Sequence, residues 1–402
     1  MPKVYAHCHQ PSKAICLTGQ ILLTCFVRLP YWLVVSLPRS WRPRSSWTFK
    51  QCILVKAVQC FSRISDQVGE LVNLPNHEAL VPGKGVNGVW LEPVPELVIG
   101  QLRDWAIEQG VEPVRIPGYW VHNTDSNITP GAPPQPGERV LLHFHGGYYR
   151  TLSAHPDDFS SIIPRGIIQH CEPQMQRYLA VEYRLSSAAP FPERNPFPAA
   201  LLDALAGYNY LVSVVGFAPE DIVVEGDSAG GNLALALVRH LVEHRGQHGI
   251  PPPPGRLILL SPWADLSSPG RSRPGSSWQR YGTIEALDLI YPGAGADWSS
   301  RAFAGPLGDH ILEQNHYVSP ASRHAALDSI SFKDFPPTLI TAGEIECLVD
   351  EVRVLRDRMA TDMGEGEVVY HEEQDAVHDY MAVRWEPATS NTYRAIARWM
   401  KE

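Results

Sequence analysis

The sequence predicts an α/β fold whose central, mostly parallel sheet is covered by helices on both faces. From about residue 139, short apolar runs alternate with segments of helical periodicity. Strands that alternate with helices in this way belong to parallel sheets with both faces buried. The 36 prolines and 31 glycines among 402 residues suit a loop-rich α/β protein better than a helical bundle.

The elements follow one another along the chain with two exceptions. The predicted strands are VLLHF (140–144), LAVEY (179–183), DIVVEG (221–226), RLILLSP (256–262), TLITAG (338–343) and VVYH (368–371). The predicted helices cover residues 196–212, with Pro198 inside the first turn, a segment after DSAGG that includes ALALVRHLVEH, residues 351–359 and residues 391–400. The exceptions are a stiff PPPP loop at 251–254 and a weakly periodic excursion at 265–315. Sites in such sheets form at the carboxyl ends of the strands, and we expect the excursion to lie over that edge.

Charge is unevenly distributed along the chain. Residues 1–65 contain nine basic residues and no acidic one, although the whole chain has 34 basic against 43 acidic residues and a net charge of −9. We therefore divide the chain into a basic arm, residues 1–65, and an acidic domain, residues 66–402. The acidic domain argues against nucleic-acid binding, and seven scattered cysteines argue against a disulfide framework.

The arm contains an apolar segment, residues 15–37, that is long enough to span a membrane. Arg28 near its centre would cost about 2.5–3.5 kcal/mol in a bilayer, and Arg and Trp residues follow it directly. A second segment, residues 52–64, has one apolar helical face. Three interpretations stay open: a lid packed on the domain, a membrane-surface or single-span anchor, and a targeting peptide.

The segment GDSAGG at 226–231 joins a predicted strand to a predicted helix. A G-x-S-x-G sequence at such a junction forms a sharp turn that presents the serine hydroxyl, here that of Ser228, above the sheet. Gly146 and Gly147 follow an earlier strand and would let backbone N–H groups approach an oxygen that becomes negative in acyl transfer. Ala229, at the helix start, offers one more N–H, and His145 is expected to be structural.

A nucleophilic serine needs a histidine base and an acid that orients it, and in this kind of sheet both follow the serine in the chain. His378, in the polar loop QDAVHDYM, is the preferred base, and His371, which closes a strand, is the second choice. Glu346, just beyond TLITAG, is the preferred acid; Asp350 is the alternative, in a first helical turn where an acid favours the helix dipole. Three further histidines are expected to face solvent from the helix after the serine: His240, His244 and His248.

Seven motifs between residues 135 and 402 together carry a family resemblance. They are HFHGGYY (143–149), EYRL (182–185), PFPAALLDAL (196–205), GDSAGGN (226–232), SPWADL (261–266), PPTLITAGEIECLVDE (336–351) and AVHDY (376–380). With them the chain resembles the hormone-sensitive-lipase-like (GDXG) branch of α/β-hydrolase esterases. The resemblance implies the α/β-hydrolase fold with N-terminal cap helices over an acyl pocket, and neither a cofactor nor a metal. It implies these roles: Ser228 as nucleophile, His378 as base, Glu346 as acid, and N–H groups near Gly146, Gly147 and Ala229 as oxyanion hole.

The chain departs from the family pattern at three places. Tyr148 stands where the family usually has a third glycine, Glu346 stands where it usually has Asp, and SSAAPFPERN lengthens the segment after Leu185. Relatives with such N-terminal arms resemble fungal proteins, some of them tailoring enzymes of secondary metabolism.

These observations together predict a serine esterase that hydrolyses a small or medium-sized carboxylic ester through an acyl-enzyme. Two alternatives stay open: a catalytically silent ligand-binding protein, and an acyltransferase or lactonase that uses the same triad. The expected partners are a small-molecule ester and, for the arm, a membrane surface, with no nucleic acid. The expected location is intracellular, either cytoplasmic or membrane-associated, and the oligomeric state is open.

Overall fold

The computed structural model describes residues 4–71, 74–124, 126–247, 249–284, 286–291 and 293–402. Its strands are β1 Asn87–Leu91, β2 Ile116–His122, β3 Arg139–Phe144, β4 Met175–Val181, β5 Ile222–Asp227, β6 Arg256–Leu260, β7 Thr338–Gly343 and β8 Val368–Glu373. They form one sheet in the order β1-β2-β4-β3-β5-β6-β7-β8. β2 is antiparallel to both β1 and β4, and the remaining pairs are parallel. The mostly parallel sheet is as predicted.

Helices cover both faces of this sheet. The helices of the described residues are α1 Ser12–Leu23, α2 Leu29–Ser36, α3 Phe49–Val68, α4 Gly100–Gln109, α5 Ile162–His170, α6 Ala199–Asn209, α7 Ala229–Glu243, α8 Ser268–Ser272, α9 Ala294–Ala304, α10 Gly308–Gln314, α11 Val349–Met363 and α12 Ala388–Trp399; α1 and α2 pack on α3 and not on the sheet. Alternate residues of the central strands enter two separate cores: Val224 of β5 joins one, and its neighbour Val223 joins the other. The strands are therefore buried on both faces, which explains their continuous apolar runs.

The structure corrects several predicted boundaries. The strand expected at 179–183 is β4, which begins four residues earlier and ends at Val181. Pro198 caps α6 from outside, because the helix begins at Ala199. β1 and β2 were not predicted; β2 contains Pro117 and Gly118, residues that are uncommon inside strands. The excursion at 265–315 contains the short helices α8, α9 and α10.

The arm is helical, as its apolar periodicity indicates. A π-helical turn, Thr24–Arg28, joins α1 to α2, and the continuous run Ser12–Ser36 is long and apolar enough to cross a membrane. α3 begins at a capping box in which Thr48 and Gln51 bond to each other's backbone N–H groups. Cys52 of α3 is buried in the same core as β3 and α12, so this part of the arm packs on the domain.

Candidate active site

Ser228 occupies the turn between β5 and α7. Its backbone has φ 51° and ψ −115°, a conformation that residues other than glycine rarely adopt. A Cβ at Gly226 would collide with the backbone of Gly230, and a Cβ at Gly230 would collide with the Phe144 carbonyl. The glycines therefore permit the tight turn that presents Ser228 at the carboxyl end of β5, where sites of parallel sheets form.

His378 reaches the serine from the loop after β8. Its Nε2 lies 3.0 Å from the Ser228 Oγ, within hydrogen-bond distance. His371 remains on β8, where its Nε2 lies 2.7 Å from the Glu373 Oε1. The structure thus brings together the serine and the preferred base, and it leaves the second choice outside this contact.

The helix after the serine carries the other histidine candidates. The expectation that they face solvent is wrong for His240, which is fully buried and whose Nε2 lies 3.1 Å from the Leu97 carbonyl. Burial lowers the pKa of His240 to about 4, so this imidazole is neutral near pH 7. His244 is half-buried, with its Nδ1 3.0 Å from the His240 carbonyl. His248 lies outside the described residues.

Glu346 lies behind His378 in the loop after β7. Its Oε2 is 3.8 Å from the His378 Nδ1, at ion-pair distance. The same oxygen accepts hydrogen bonds from the Ser261 Oγ at 2.7 Å and the Gly343 N–H at 3.0 Å. Burial raises the pKa of Glu346, and the contacts with His378 and Ser261 partly offset that rise. The carboxylate is therefore held in place against the base.

Asp350, the alternative acid, points elsewhere. It lies in the first turn of α11, as predicted, and its carboxylate pairs with Arg273 at 3.3 Å and Arg280 at 3.1 Å. It also accepts the Ser277 N–H at 2.9 Å. These partners belong to the excursion at 265–315, so Asp350 anchors that segment to α11.

Two further carboxylates contact His378, and the sequence motifs indicate neither as a site residue. Asp288 is fully buried; its Oδ1 accepts the His378 backbone N–H at 2.7 Å, and its Oδ2 accepts the Cys347 N–H at 2.6 Å. It thereby ties the loop of the base to the loop of the acid. The Asp379 Oδ2 lies 3.1 Å from the His378 Nε2. Only Asp379 has a signal in the sequence, its place beside the histidine, since Asp288 sits in a weakly periodic stretch.

The charge around His378 decides its protonation. Burial alone would lower the pKa of this imidazole, but the carboxylates of Asp379 and Glu346 outweigh burial and raise the pKa well above the usual 6.5. Burial raises the pKa values of the Asp288 and Asp227 carboxyls, and the positive charge of His378 partly offsets that rise. The site therefore favours the imidazolium, the form that appears after the serine gives up its proton.

The three predicted oxyanion donors differ in their contacts. The Gly146 N–H donates to the Asp227 Oδ2 at 3.0 Å and is therefore engaged within the protein. The N–H groups of Gly147 and Ala229 have no partner among the residues that the structure describes. Gly147 has φ 98°, and a Cβ there would meet the Thr151 carbonyl, so this position requires glycine. His145 is fully buried, with its Nδ1 2.8 Å from the Gly146 carbonyl, in keeping with a structural role.

A buried cluster beneath the serine consists of His143, Glu225 and Asp227. Their ligand atoms lie within 4.8 Å of one another, so these are the residues that could hold a cation. The His143 Nδ1 and the Glu225 Oε2 already contact each other at 2.6 Å and join β3 to β5. Burial raises the pKa of Glu225 and of Asp227 well above the usual range, and the Asp379 carboxylate adds to the rise.

The arm contacts a segment of this site. Ser228 and His378 are both almost fully buried, at 5% and 4% exposure. The amide of Gln59 on α3 donates to the Asp288 carbonyl at 2.5 Å and to the Ala286 carbonyl at 3.1 Å. The described arm therefore contacts the segment that supports the base.

Comparison with known proteins finds relatives named acetyl-hydrolase and esterase. The model of a family described as alpha/beta hydrolase fold matches residues 141–382. An acetyl-hydrolase of Streptomyces hygroscopicus is 31% identical over 232 residues, 56% of this chain and 62% of that protein. An esterase of Acinetobacter venetianus is 28% identical over 222 residues, 55% of this chain and 61% of that protein, so the match spans less than two thirds of either relative. The crystal structure of an esterase from the bacterial hormone-sensitive lipase family shares the fold, with a TM-score of 0.57 at 20% identity, and covers 88% of this chain and 98% of that one.

Proposed function

The chain belongs to the alpha/beta hydrolase fold family, and from this premise we propose that it is a serine hydrolase of carboxylic esters. The observation that carries the proposal is the 3.0 Å contact between the His378 Nε2 and the Ser228 Oγ at a strand-turn-helix elbow. Relatives named esterase and acetyl-hydrolase support the same reaction. We assign Ser228 as nucleophile, His378 as base and Glu346 as the acid that orients it.

The reaction then follows from the geometry. His378 takes the proton from Ser228 as the Oγ attacks the ester carbonyl, and the carbonyl oxygen becomes negative. The N–H groups of Gly147 and Ala229 stabilise this oxyanion, whereas that of Gly146 holds the Asp227 carboxylate and through it the loop. His378 next protonates the departing alcohol, and a water molecule, activated by the same imidazole, releases the acid from Ser228.

Replacing Ser228 by Ala tests the nucleophile. We expect turnover of p-nitrophenyl acetate to fall by roughly 10⁶-fold and labelling by a fluorophosphonate to vanish, because both require the Oγ. The exposed Ser272, replaced by Ala, is the matched control and should label like the wild type. Wild-type protein that neither labels nor turns over esters would identify a silent ligand-binding pocket instead, and transfer to an added alcohol rather than water would identify an acyltransferase.

For the substrate we propose a short acyl group, supported by the acetyl-hydrolase among the relatives. A series of p-nitrophenyl esters from acetate upward tests this, and a preference for long chains would contradict it. The lengthened segment after Leu185 and the cap determine the pocket rim. A fungal origin and a role in secondary metabolism stay predictions.

We also propose that the arm contacts a membrane surface with α1 and α2 lying along it. Large apolar side chains on these helices and on the turn between them are exposed, among them Ile21 (60%), Phe26 (74%) and Val34 (57%). Arg28 faces the protein, where its Nη1 bonds to Gln20 at 2.7 Å. On α1 and the turn after it, Gln20 and Thr24 contact Gln67 and Cys60 of α3, and these polar inner contacts favour an interfacial segment over a span. Sedimentation with vesicles tests the contact, as described below.

A further inference from the structure

A cavity of about 420 Å³ lies between α1–α2 and α3. Ten described residues line it; three of these are basic, Arg28, Lys56 and Arg63, and none is acidic. None of the three basic side chains makes an ion pair with a carboxylate in the described part of the chain. The Arg63 guanidinium lies 5.3 Å from the centroid of the Tyr291 ring, and an anion bound in the cavity would meet three positive charges and no negative one among its lining residues.

Arg28 is held in place without being neutralised. Its Nη1 donates to the Gln20 Oε1 at 2.7 Å, the Thr24 Oγ1 at 3.1 Å and the Cys60 Sγ at 3.3 Å. All three partners are neutral, and its Nη2 and Nε make no hydrogen bond to residues that the structure describes. The guanidinium is therefore ordered and retains donors for an anionic oxygen, the geometry by which arginine binds phosphate.

The surroundings of the cavity indicate what kind of anion it binds. The helices that form one wall expose apolar side chains, and Tyr31 and Trp32, which line the cavity, are residue types that favour the headgroup layer. A soluble anion would leave the apolar surface beside the cavity exposed to water, whereas a lipid presents acyl chains and a charged headgroup together.

We infer that this cavity binds the phosphate of an anionic phospholipid, with Arg28, Lys56 and Arg63 around the phosphate and the lipid chains against the outer face of α1–α2. The inference rests on the membrane contact proposed above and adds a defined headgroup site to it. Gln59 lines the same cavity and donates to the carbonyls of Ala286 and Asp288. The headgroup would thus lie one side chain away from the segment that supports the catalytic histidine.

The test is sedimentation of the full chain with vesicles of phosphatidylcholine alone or mixed with phosphatidylglycerol, at physiological ionic strength. We expect tighter binding to the anionic vesicles, and we expect K56Q/R63Q to lose roughly a hundredfold of that affinity, about tenfold for each charge-assisted hydrogen bond to the phosphate, while R39Q/K50Q loses clearly less. Arg28 is retained in this variant because its hydrogen bonds hold α1 to α3. The control R39Q/K50Q removes the same charge from exposed arm residues outside the cavity lining. Thermal unfolding verifies that both variants fold.

Each outcome bears on one part of the inference. A selective loss in K56Q/R63Q supports the headgroup site. Equal losses in K56Q/R63Q and R39Q/K50Q would mean diffuse attraction and would overturn the site, as would equal wild-type binding to both vesicle types, which leaves the membrane contact standing. Sedimentation with neither vesicle would remove the membrane contact itself. Inorganic phosphate that binds the wild type but not K56Q/R63Q, without any vesicle preference, would assign the cavity to a free phosphate.

Discussion

Replacing Asp379 by Asn should move the acid limb of the ester-hydrolysis pH profile to lower pH. The Asp379 Oδ2 lies 3.1 Å from the His378 Nε2, the atom that must be free of a proton to accept the one from Ser228. Among the groups that raise the pKa of this buried imidazole, the Asp379 carboxylate has the largest effect. Removing its charge while keeping its size therefore lowers the pKa of His378, and the neutral base persists to lower pH.

The magnitude follows from the distance. An opposite charge this close shifts a pKa by about 1–3 units, so the acid limb of kcat/KM should move down by at least about one unit. At a pH below the wild-type limb, each pH unit by which the limb moves raises the fraction of enzyme with a neutral His378 about tenfold. Asn suits the site because Asp379 has φ 47°, a conformation that Asn tolerates better than most residues. Glu346 remains in place to orient the ring.

The assay is kcat/KM for p-nitrophenyl acetate across the pH range in which the variants remain folded. Asp375→Asn is the matched control, because it removes a carboxylate from the same loop at φ 54° but one that contacts Ser46 of the arm. An acid limb that stays in place in the Asp379 variant, or moves equally in the Asp375 variant, would refute the electrostatic reasoning.

Three other substitutions test the contacts of His378 and the packing of the arm on the domain. Asp288→Asn leaves at least one of the three backbone N–H groups at this carboxylate, those of Leu289, Cys347 and His378, without an acceptor. We expect kcat to fall by roughly 10- to 100-fold while KM stays within about twofold, as measured by steady-state kinetics. Glu346→Gln keeps the shape but removes the charge behind His378 and should lower kcat by roughly 10³- to 10⁴-fold, with fluorophosphonate labelling slowed in parallel. Trp47→Ala removes a side chain that is 2% exposed and bonds the Asp375 carbonyl at 2.9 Å; denaturant unfolding should show a loss of about 3–5 kcal/mol.

Each of these variants has an outcome that contradicts its premise. Asp309→Asn on exposed α10 is the charge control for the two acid variants and should leave kcat unchanged. If Asp288→Asn changes only the unfolding temperature, Asp288 stabilises the fold without positioning His378. A wild-type rate in Glu346→Gln would transfer the orienting role to another carboxylate. An unchanged unfolding midpoint for Trp47→Ala would mean that the arm does not share the core of the domain.

The parallel half of the sheet follows from the sequence because its physical cause is local. Strands buried on both faces carry consecutive apolar residues, and β5, β6 and β7 show such runs in IVV, LILL and LI. β1 lacks such a signal, since most of its residues are only half-buried and it pairs along one edge, with β2. Its existence depends on the partner strand, which periodicity along one segment does not reveal.

The residues of the site also differ in whether the sequence can predict them. Ser228 could be predicted because the turn itself demands glycines at fixed positions around it. Asp288 could not, because its carboxylate acts on two backbone N–H groups that are brought to it from distant loops. Any buried acid in the excursion would look the same in the sequence. The engaged N–H of Gly146 is likewise a tertiary effect, set by the position of Asp227.

The basic arm contains none of the proposed reacting groups, yet it contacts the segments around them. It contacts both loops of the site: Gln59 donates to the backbone carbonyl of Asp288, which supports His378, and the Tyr5 hydroxyl accepts a hydrogen bond at 3.2 Å from Arg150, which follows the glycine loop. Ser228 is almost fully covered in this arrangement. A movement of α3 away from residues 286–288 would break the Gln59 contact and would act on the segment whose Asp288 carboxylate holds the His378 backbone N–H. The position of α3 and the alignment of His378 are thus linked through Asp288.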